Sequence, residues 1–364
     1  MLDGTTPHLR NFWYLALAGR DLKPGGMTGV KLLGETLLLG RTSDGAVFAL
    51  RDICPHRGIP LRHGDFDGRE VACCYHGWRF APDGRCTAIP SLVEGQDFDV
   101  SKVRVQAYPC REVQGNIWVY LSDAEPEGAA KGDAKGNGGA PGEDGLPEVP
   151  RVPGPADAPP QVSLSRHFPC HADHAAFGLM DPTHAAFVHT SWWWKKKAGT
   201  LRNKEKHFEP APLGWRMARH RLPPENRAYK LLGDHVTTEI TYSLPGIRVE
   251  AIEGERHSAV ALTAITPIDD RNTVVHQSLY CTAGWVVPFR PLGKLLAGIF
   301  LDQDLDMVVK QKEGLDQHPK LLLVDDADTQ AKWFHRVKLA WLKAAEAGEP
   351  FETPIKARTL RWRS

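Results

Sequence analysis

The first 122 residues run in short apolar stretches broken by Gly, Pro and Asp. Val30-Lys31-Leu32-Leu33, Thr36-Leu37-Leu38-Leu39 and Val47-Phe48-Ala49-Leu50 are the clearest, with Gly34-Glu35 and Ser43-Asp44-Gly45 between them. Short runs bounded by turn formers predict β-strands. More strands are predicted at Val71-Ala72-Cys73-Cys74, Val103-Arg104-Val105 and Asn116-Ile117-Trp118-Val119-Tyr120. From Ala124 to Pro160 the chain is dominated by Gly, Ala, Pro, Asp and Glu. Such a composition cannot bury a core, which predicts a mobile linker over 123–160.

Beyond it the period changes. Residues 170–190 read mostly as helix, with Pro182 at a kink or a helix start. Alternating patterns predict strands at His235–Leu244, Gly246–Ile252, Ala259–Thr266 and Thr273–Cys281, and helices follow at Leu292–Leu315 and Asp328–Glu346. The expected architecture is α+β: an all-β domain over 1–122, then a domain over 161–364 with an antiparallel sheet, helices, and a pocket between them.

Composition adds limits. A chain of 364 residues with 42% apolar content fits two domains with proper cores. Lys plus Arg is 45 against 44 for Asp plus Glu, so bulk charge gives no reason to expect nucleic acid or an anionic membrane. The most apolar stretch, Gly284 to Leu301, is broken by Pro288, Arg290, Pro291 and Lys294, so no membrane span is expected. The N-terminus lacks a basic, then apolar, signal pattern. Seven cysteines, an odd number, point to a reducing cytoplasm with some thiols serving as metal ligands.

The ligands stand out. Cys54-Pro55-His56-Arg57-Gly58 is answered by Cys73-Cys74-Tyr75-His76-Gly77-Trp78. Structural zinc usually keeps its cysteines together and its histidines together. Here each loop supplies one of each. Two thiolates for one iron and two imidazoles for the other is the ligand set of a Rieske [2Fe–2S] cluster. Gly58 and Gly77 let each loop fold closely over it. Cys74, Cys86, Cys110, Cys170 and Cys281 read as small buried apolar residues.

The second constellation is Asp181-Pro182-Thr183-His184-Ala185-Ala186-Phe187-Val188-His189. Two histidines and a carboxylate leave open positions on a six-coordinate metal, which suits non-haem Fe(II) and O2 activation. Alone the match is short; the cluster site upstream gives it weight. A further carboxylate is needed, and Asp302, Asp304 and Asp306 are candidates. On a helix Asp304 shares a face with Ala297, Phe300, Leu301, Val308 and Gln311, and a carboxylate in an apolar stripe needs a partner such as a metal.

Both constellations, in this order, resemble the Rieske non-haem iron oxygenases, the ring-hydroxylating oxygenase alpha-subunit family. The respiratory Rieske branch is less similar, because its flanking disulfide would fall on Ile59 and Tyr75. The resemblance implies a catalytic domain of helix-grip (START-like) fold, with His184 and His189 as iron ligands. Its frequent Gln seven residues after the ligand Asp matches Gln311 and again selects Asp304. It implies that Asp181 hydrogen-bonds His184 and also His76 of a neighbouring subunit, within a homotrimer; the plainer reading of Asp181 is a helix cap. Where many relatives carry Glu-Asn or Asp-Asn, this chain has Phe177-Gly178 after His171, Asp173 and His174, and His174 is expected to be a surface or packing residue.

The function so implied is a terminal oxygenase component. A flavin/iron-sulfur reductase or ferredoxin would bring electrons from NAD(P)H, and O2 would be used on a small organic, aromatic substrate. Similarity around Met180-Asp181-Pro182-Thr183-His184 leans towards vanillate O-demethylase-like monooxygenases over dioxygenases. The rival reading is a Rieske electron carrier fused to a ligand-binding domain. Trp192-Trp193-Trp194 and Lys195-Lys196-Lys197 suit either a pocket mouth and donor contact or core and solvated loop. Ile247, Val249, Val260, Leu262 and Tyr280 are expected to be mostly core, and the basic tail Arg358–Arg363 solvated.

Overall fold

The computed structural model describes residues 5–123, 145–154, 158–189, 191, 201–222 and 232–364. Most of the linker and the Trp192–Lys197 stretch lie outside the described residues.

The N-terminal domain is built of eleven strands: β1 (Phe12–Ala18), β2 (Met27–Leu32), β3 (Glu35–Arg41), β4 (Val47–Arg51), β5 (Asp65–Phe66), β6 (Val71–Ala72), β7 (Arg79–Phe80), β8 (Cys86–Ala88), β9 (Ala107–Tyr108), β10 (Cys110–Val113) and β11 (Asn116–Leu121). They form three antiparallel sheets, in the orders β1-β11-β10, β2-β3-β4-β9 and β5-β6-β7-β8. The strand expected at Val71–Cys74 stops at Ala72, because Cys73 enters a tight turn. The one expected at Val103–Val105 is reduced to a single bridge between Arg85 and Arg104. Cys74 is exposed, a correction to the buried role expected of it, and Cys110 and Cys281 are half-buried.

The C-terminal domain continues with β12 (Val162–Phe168), α1 (Ala172–Met180), α2 (Ala185–Val188), β13 (Asn203–Ala211), β14 (Gly214–Arg221), β15 (Thr237–Ser243), β16 (Ile247–Glu253), β17 (Ser258–Asp269), β18 (Asn272–Cys281), α3 (Arg290–Leu315), α4 (Thr329–Ala347) and β19 (Arg358–Arg363). The eight strands among its described residues make one antiparallel sheet, β12-β18-β17-β16-β15-β14-β13-β19. The basic tail is therefore an edge strand and not a solvated end: β19 pairs with β13, and Leu360 and Trp362 are buried. Its alternation of charged and apolar residues is that of a half-buried strand.

Period-two alternation gives the sheet two different faces. Ile247, Val260, Leu262, Ala264 and Tyr280 point one way and pack with Trp13, Leu15, Trp118 and Tyr120 of the N-terminal domain. Thr266 Oγ1 donates to the Leu15 carbonyl at 2.7 Å, and Asn116 Nδ2 donates to Tyr280 Oη at 2.7 Å. Ile247, Val260, Leu262 and Tyr280 are thus core between domains, as Val249 packed against them is. The last part of the predicted linker joins this core, against the expectation of mobility throughout. Val149 and Val152 are buried, Trp13 Nε1 donates to the Pro147 carbonyl at 2.7 Å, and the Gln114 amide pairs with the Val152 backbone.

The opposite face carries the helices. Trp333 of α4 packs edge-on against Phe208 and Trp215. The α4 Lys338 Nζ meets Asp173 Oδ1 of α1 at 2.6 Å in the interior, and Thr6 also donates to Asp173. Gly284–Leu315 is long and apolar enough to cross a membrane by length and composition. In this fold its helix α3 lies against β12 and α1, with Leu301 and Val308 in the core.

Candidate metal centres

The first centre is made by two matching turns. Cys54 N–H donates to the Ile59 carbonyl at 2.9 Å and Gly58 N–H to the Cys54 carbonyl at 2.9 Å; Cys73 N–H donates to Trp78 at 2.8 Å and Gly77 N–H to Cys73 at 3.0 Å. Gly58 and Gly77 sit at φ 75° and 70°, the left-handed region where a side chain is strained. The turns bring His56 and His76 to 4.4 Å between ring centroids, and His56 stacks on Trp78 at 4.6 Å. Cys54 and Cys73 are buried beneath. Burial pushes the Cys54 thiol up to about 11, so a thiolate there needs a cation. His56 Nδ1 is buried without a hydrogen-bond partner among the described residues. A donor set of two thiols, two imidazoles and an orphaned ring nitrogen fits the [2Fe–2S] group.

The second centre lies where α2 meets α3. Pro182 lies between the end of α1 and the start of α2, so the helical stretch expected over 170–190 is divided at the proline. His184 Nε2 and His189 Nε2 each lie 3.5 Å from Asp304 Oδ1. The three ligand atoms lie within 4.8 Å of one another. Each imidazole has its far nitrogen held. His184 Nδ1 is 2.8 Å from the Asp181 carbonyl oxygen, and His189 Nδ1 is 3.1 Å from Gln303 Oε1. Gln303 is itself fixed by donating to Ser191 Oγ at 3.0 Å. Protons on both Nδ1 atoms leave both Nε2 lone pairs aimed at the common point. Burial lowers the His184 and His189 pKa values, His189 to about 4, which keeps the rings neutral. Burial pushes the Asp304 carboxyl up to about 7, opposed by the charge of Arg248. Neutral imidazoles and a desolvated carboxyl are a donor set that a divalent cation fits.

The other acids have other partners. Asp302 Oδ1 accepts from Arg166 Nε at 2.5 Å, and Asp306 Oδ2 from Lys310 Nζ at 2.6 Å. Gln311 is exposed. The Asp181 carboxylate ties down the turn that leads into α2: Oδ1 accepts from Thr183 N and Oγ1 at 2.7 and 2.6 Å, and Oδ2 from His184 N at 3.1 Å. It does not cap the helix, whose N-cap is His184. Within the chain, then, Asp181 orients the His184 ring through its main-chain carbonyl, while its carboxylate lies 3.7 Å from Nδ1.

Two family descriptions cover these centres. The Rieske [2Fe-2S] domain matches residues 12–109, and the vanillate O-demethylase oxygenase C-terminal domain matches 168–343. The chain belongs to the Rieske oxygenases. Chlorophyllide a oxygenase of Arabidopsis thaliana is 29% identical over 52% of this chain and 31% of its own length. The oxygenase subunit of 3-chlorobenzoate-3,4-dioxygenase of Comamonas testosteroni is 40% identical over 31% of this chain and 26% of its own. For the oxygenase component of chloroacetanilide N-alkylformylase of Rhizorhabdus wittichii the values are 34%, 50% and 47%. The matches thus span at most about half of these relatives. The fold is that of dicamba monooxygenase bound to 3,6-dichlorosalicylic acid, with TM-score 0.68 and 20% identity over 93% of this chain and 100% of that one. The family's cofactors are the Rieske cluster and a mononuclear iron.

Three residues of this Rieske oxygenase's second centre escaped the sequence reading in their roles: Gln303, which holds His189; Phe300, stacked on that ring at 3.5 Å; and Arg248. Gln303 adjoins Asp304, but nothing local says which way its amide points. Arg248 and Glu250 do leave a signal, as an ionic pair two apart in a strand otherwise apolar from Ile247 to Ile252. His174 packs edge-on against Phe177. His8, His171 and Asp270 also cluster, but His171 Nδ1 accepts from the Asp173 amide as the cap of α1, so its other nitrogen carries the proton and cannot ligate.

Proposed function

We propose that the protein is the terminal component of a Rieske oxygenase system, with Cys54, His56, Cys73 and His76 holding the cluster and His184, His189 and Asp304 the mononuclear iron. The observation that carries the reading is the approach of both histidine Nε2 atoms to one Asp304 oxygen at 3.5 Å, the two-histidine, one-carboxylate arrangement. An electron carrier with an appended ligand-binding domain would have no use for it. The metals, when bound, supply electron transfer at the first centre and O2 activation at the second. This chain's residues do the rest. The Asp181 carbonyl and Gln303 fix the two imidazoles, and Phe300 covers His189 and excludes water from it.

Electrons come from NAD(P)H through a separate flavin/iron-sulfur reductase or ferredoxin. The substrate is a small aromatic molecule, hydroxylated or oxidatively demethylated by monooxygenation rather than dioxygenated, which the match to the vanillate O-demethylase oxygenase domain supports. The setting is the cytoplasm, consistent with seven free cysteines. The assembly is a homotrimer. Tyr75 beside His76 and Phe187 beside the triad are both exposed aromatics, and joining two such unlike patches head to tail closes a ring of three when each step turns by a third of a circle. In that ring Asp181 bridges His184 to the neighbour's cluster.

Iron counting and substrate-screened, NADH-dependent O2 consumption with a surrogate reductase test this. His184→Ala should lose one iron per chain, keep the Rieske spectrum and abolish product. Unchanged iron would favour the carrier. Asp181→Asn should keep both centres filled and lose turnover; normal turnover would exclude the bridge.

A further inference from the structure

The helix-side face of the sheet carries a polar row where apolar lining would be expected. Register pairs Tyr242 with Arg248, Arg248 with Thr263, and Thr263 with Gln277, so these four side chains stand abreast on neighbouring strands. Leu164 and Trp215 end the row and are core residues on the helix side. Arg248 and Gln277 are two strand spacings apart, roughly 10 Å.

Arg248 projects from the helix side of the sheet, and its positive charge acts on both Asp304 and His184 of the triad. Its guanidinium is held by two neighbours: Nη2 donates to Glu250 Oε2 at 2.8 Å, and the group lies over the Tyr242 ring at 5.9 Å and also interacts with the Tyr242 hydroxyl. Its Nε–H is buried with no partner among the described residues, and the same is true of Gln277 Oε1. A buried donor left unpaired loses the hydrogen bond it had with water, a loss that is larger for a charged group. Two such atoms, in one row on the helix side of the sheet, mark a place where a ligand completes the hydrogen bonding.

We infer that Arg248, with Gln277 across Thr263, is the specificity anchor of the substrate pocket and takes a planar oxygen acceptor, a carboxylate or carboxamide, on an otherwise apolar small molecule. The inference rests on the oxygenase reading for its placement of the reacting carbon at the triad. Glu250 holds the guanidinium so that its open Nε edge meets the acceptor. The Gln277 amide answers at the far side with either its oxygen or its nitrogen, and so tolerates an acid or an amide. The apolar remainder of the molecule is left to lie towards His184, His189 and Asp304.

The test is anaerobic titration calorimetry of the iron-loaded, full-length protein with benzoate, benzamide and toluene. Wild type should bind benzoate or benzamide at least about 10-fold more tightly than toluene, as expected for one buried charge-assisted hydrogen bond. Benzoate ahead of benzamide identifies an acid as the natural class, and the reverse order a neutral carboxamide. Arg248→Met should bring both down to the toluene level, leaving toluene within about threefold, and Arg248→Lys should restore only part of the difference. Toluene binding as tightly as both, or none of the three binding to wild type, would overturn the anchor, and neither outcome requires a variant to fold. Binding is read without O2 or electrons. Selectivity without turnover would therefore count against the oxygenase reading alone, and turnover without selectivity against the anchor alone.

Discussion

Gln303 holds His189: its Oε1 lies 3.1 Å from the imidazole Nδ1, one residue before Asp304 on the same helix. Helix α3 thus supplies both a prospective ligand and the group that fixes another ligand's tautomer. Gln303→Leu should keep the ring packed on Phe300 but free it to rotate and to change tautomer. The expected result is about 10- to 100-fold weaker iron binding at the mononuclear site with an unaltered Rieske spectrum, read by chelator competition and visible absorption.

The three aspartates of α3 should behave differently. Asp304→Ala should lose one iron per chain. Asp302→Ala removes only a surface pair with Arg166, and Asp306→Ala only one with Lys310, so both should keep their iron and stay within about 0.5 kcal/mol of wild-type stability. Metal analysis of the three variants side by side checks the assignment; iron retained in Asp304→Ala would move the ligand elsewhere.

His276 makes stability depend on acid. It is buried, its Nδ1 is 2.8 Å from Ser165 Oγ, and burial lowers its pKa from 6.5 to about 4. The folded-state value is depressed, so between pH 6.5 and about 4 the unfolded chain binds a proton that the folded chain refuses. Stability is therefore full above the unfolded value and falls as pH drops through that window, by up to about 3 kcal/mol for this residue. Urea midpoints from pH 7.5 to 5 should fall in wild type and less steeply in His276→Gln. Equal slopes would assign the acid sensitivity to other groups.

The C-terminal strand should matter to stability out of proportion to its charge. Leu360 is fully buried, whereas Arg361 is exposed and paired with Glu205. Leu360→Ala should cost about 2–5 kcal/mol and Arg361→Ala under about 1 kcal/mol in thermal or urea unfolding.

By itself the sequence determined what is local. Turn glycines, strand runs and the Cys-x-His and Cys-x-x-His pairs are short-range patterns, and each ligand pair comes from a single turn. The helical stripe around Asp304 was equally local, since a face is fixed by spacing along one helix. The tertiary structure decided whatever depends on which face of a strand looks where. Half of Arg358–Arg363 is arginine, and only its pairing with β13 shows that Leu360 and Trp362 fill a core. Val149 and Val152 sit in a stretch too polar to form a core, yet they are buried by a surface made elsewhere. Ile247 and Arg248 are adjacent in one strand, but pleating sends the first to the domain interface and the second to the side of the triad. Gln303 is the sharpest case. Its place beside Asp304 is written in the chain, but its hold on His189, 114 residues away in sequence, exists only because the end of α2 meets α3.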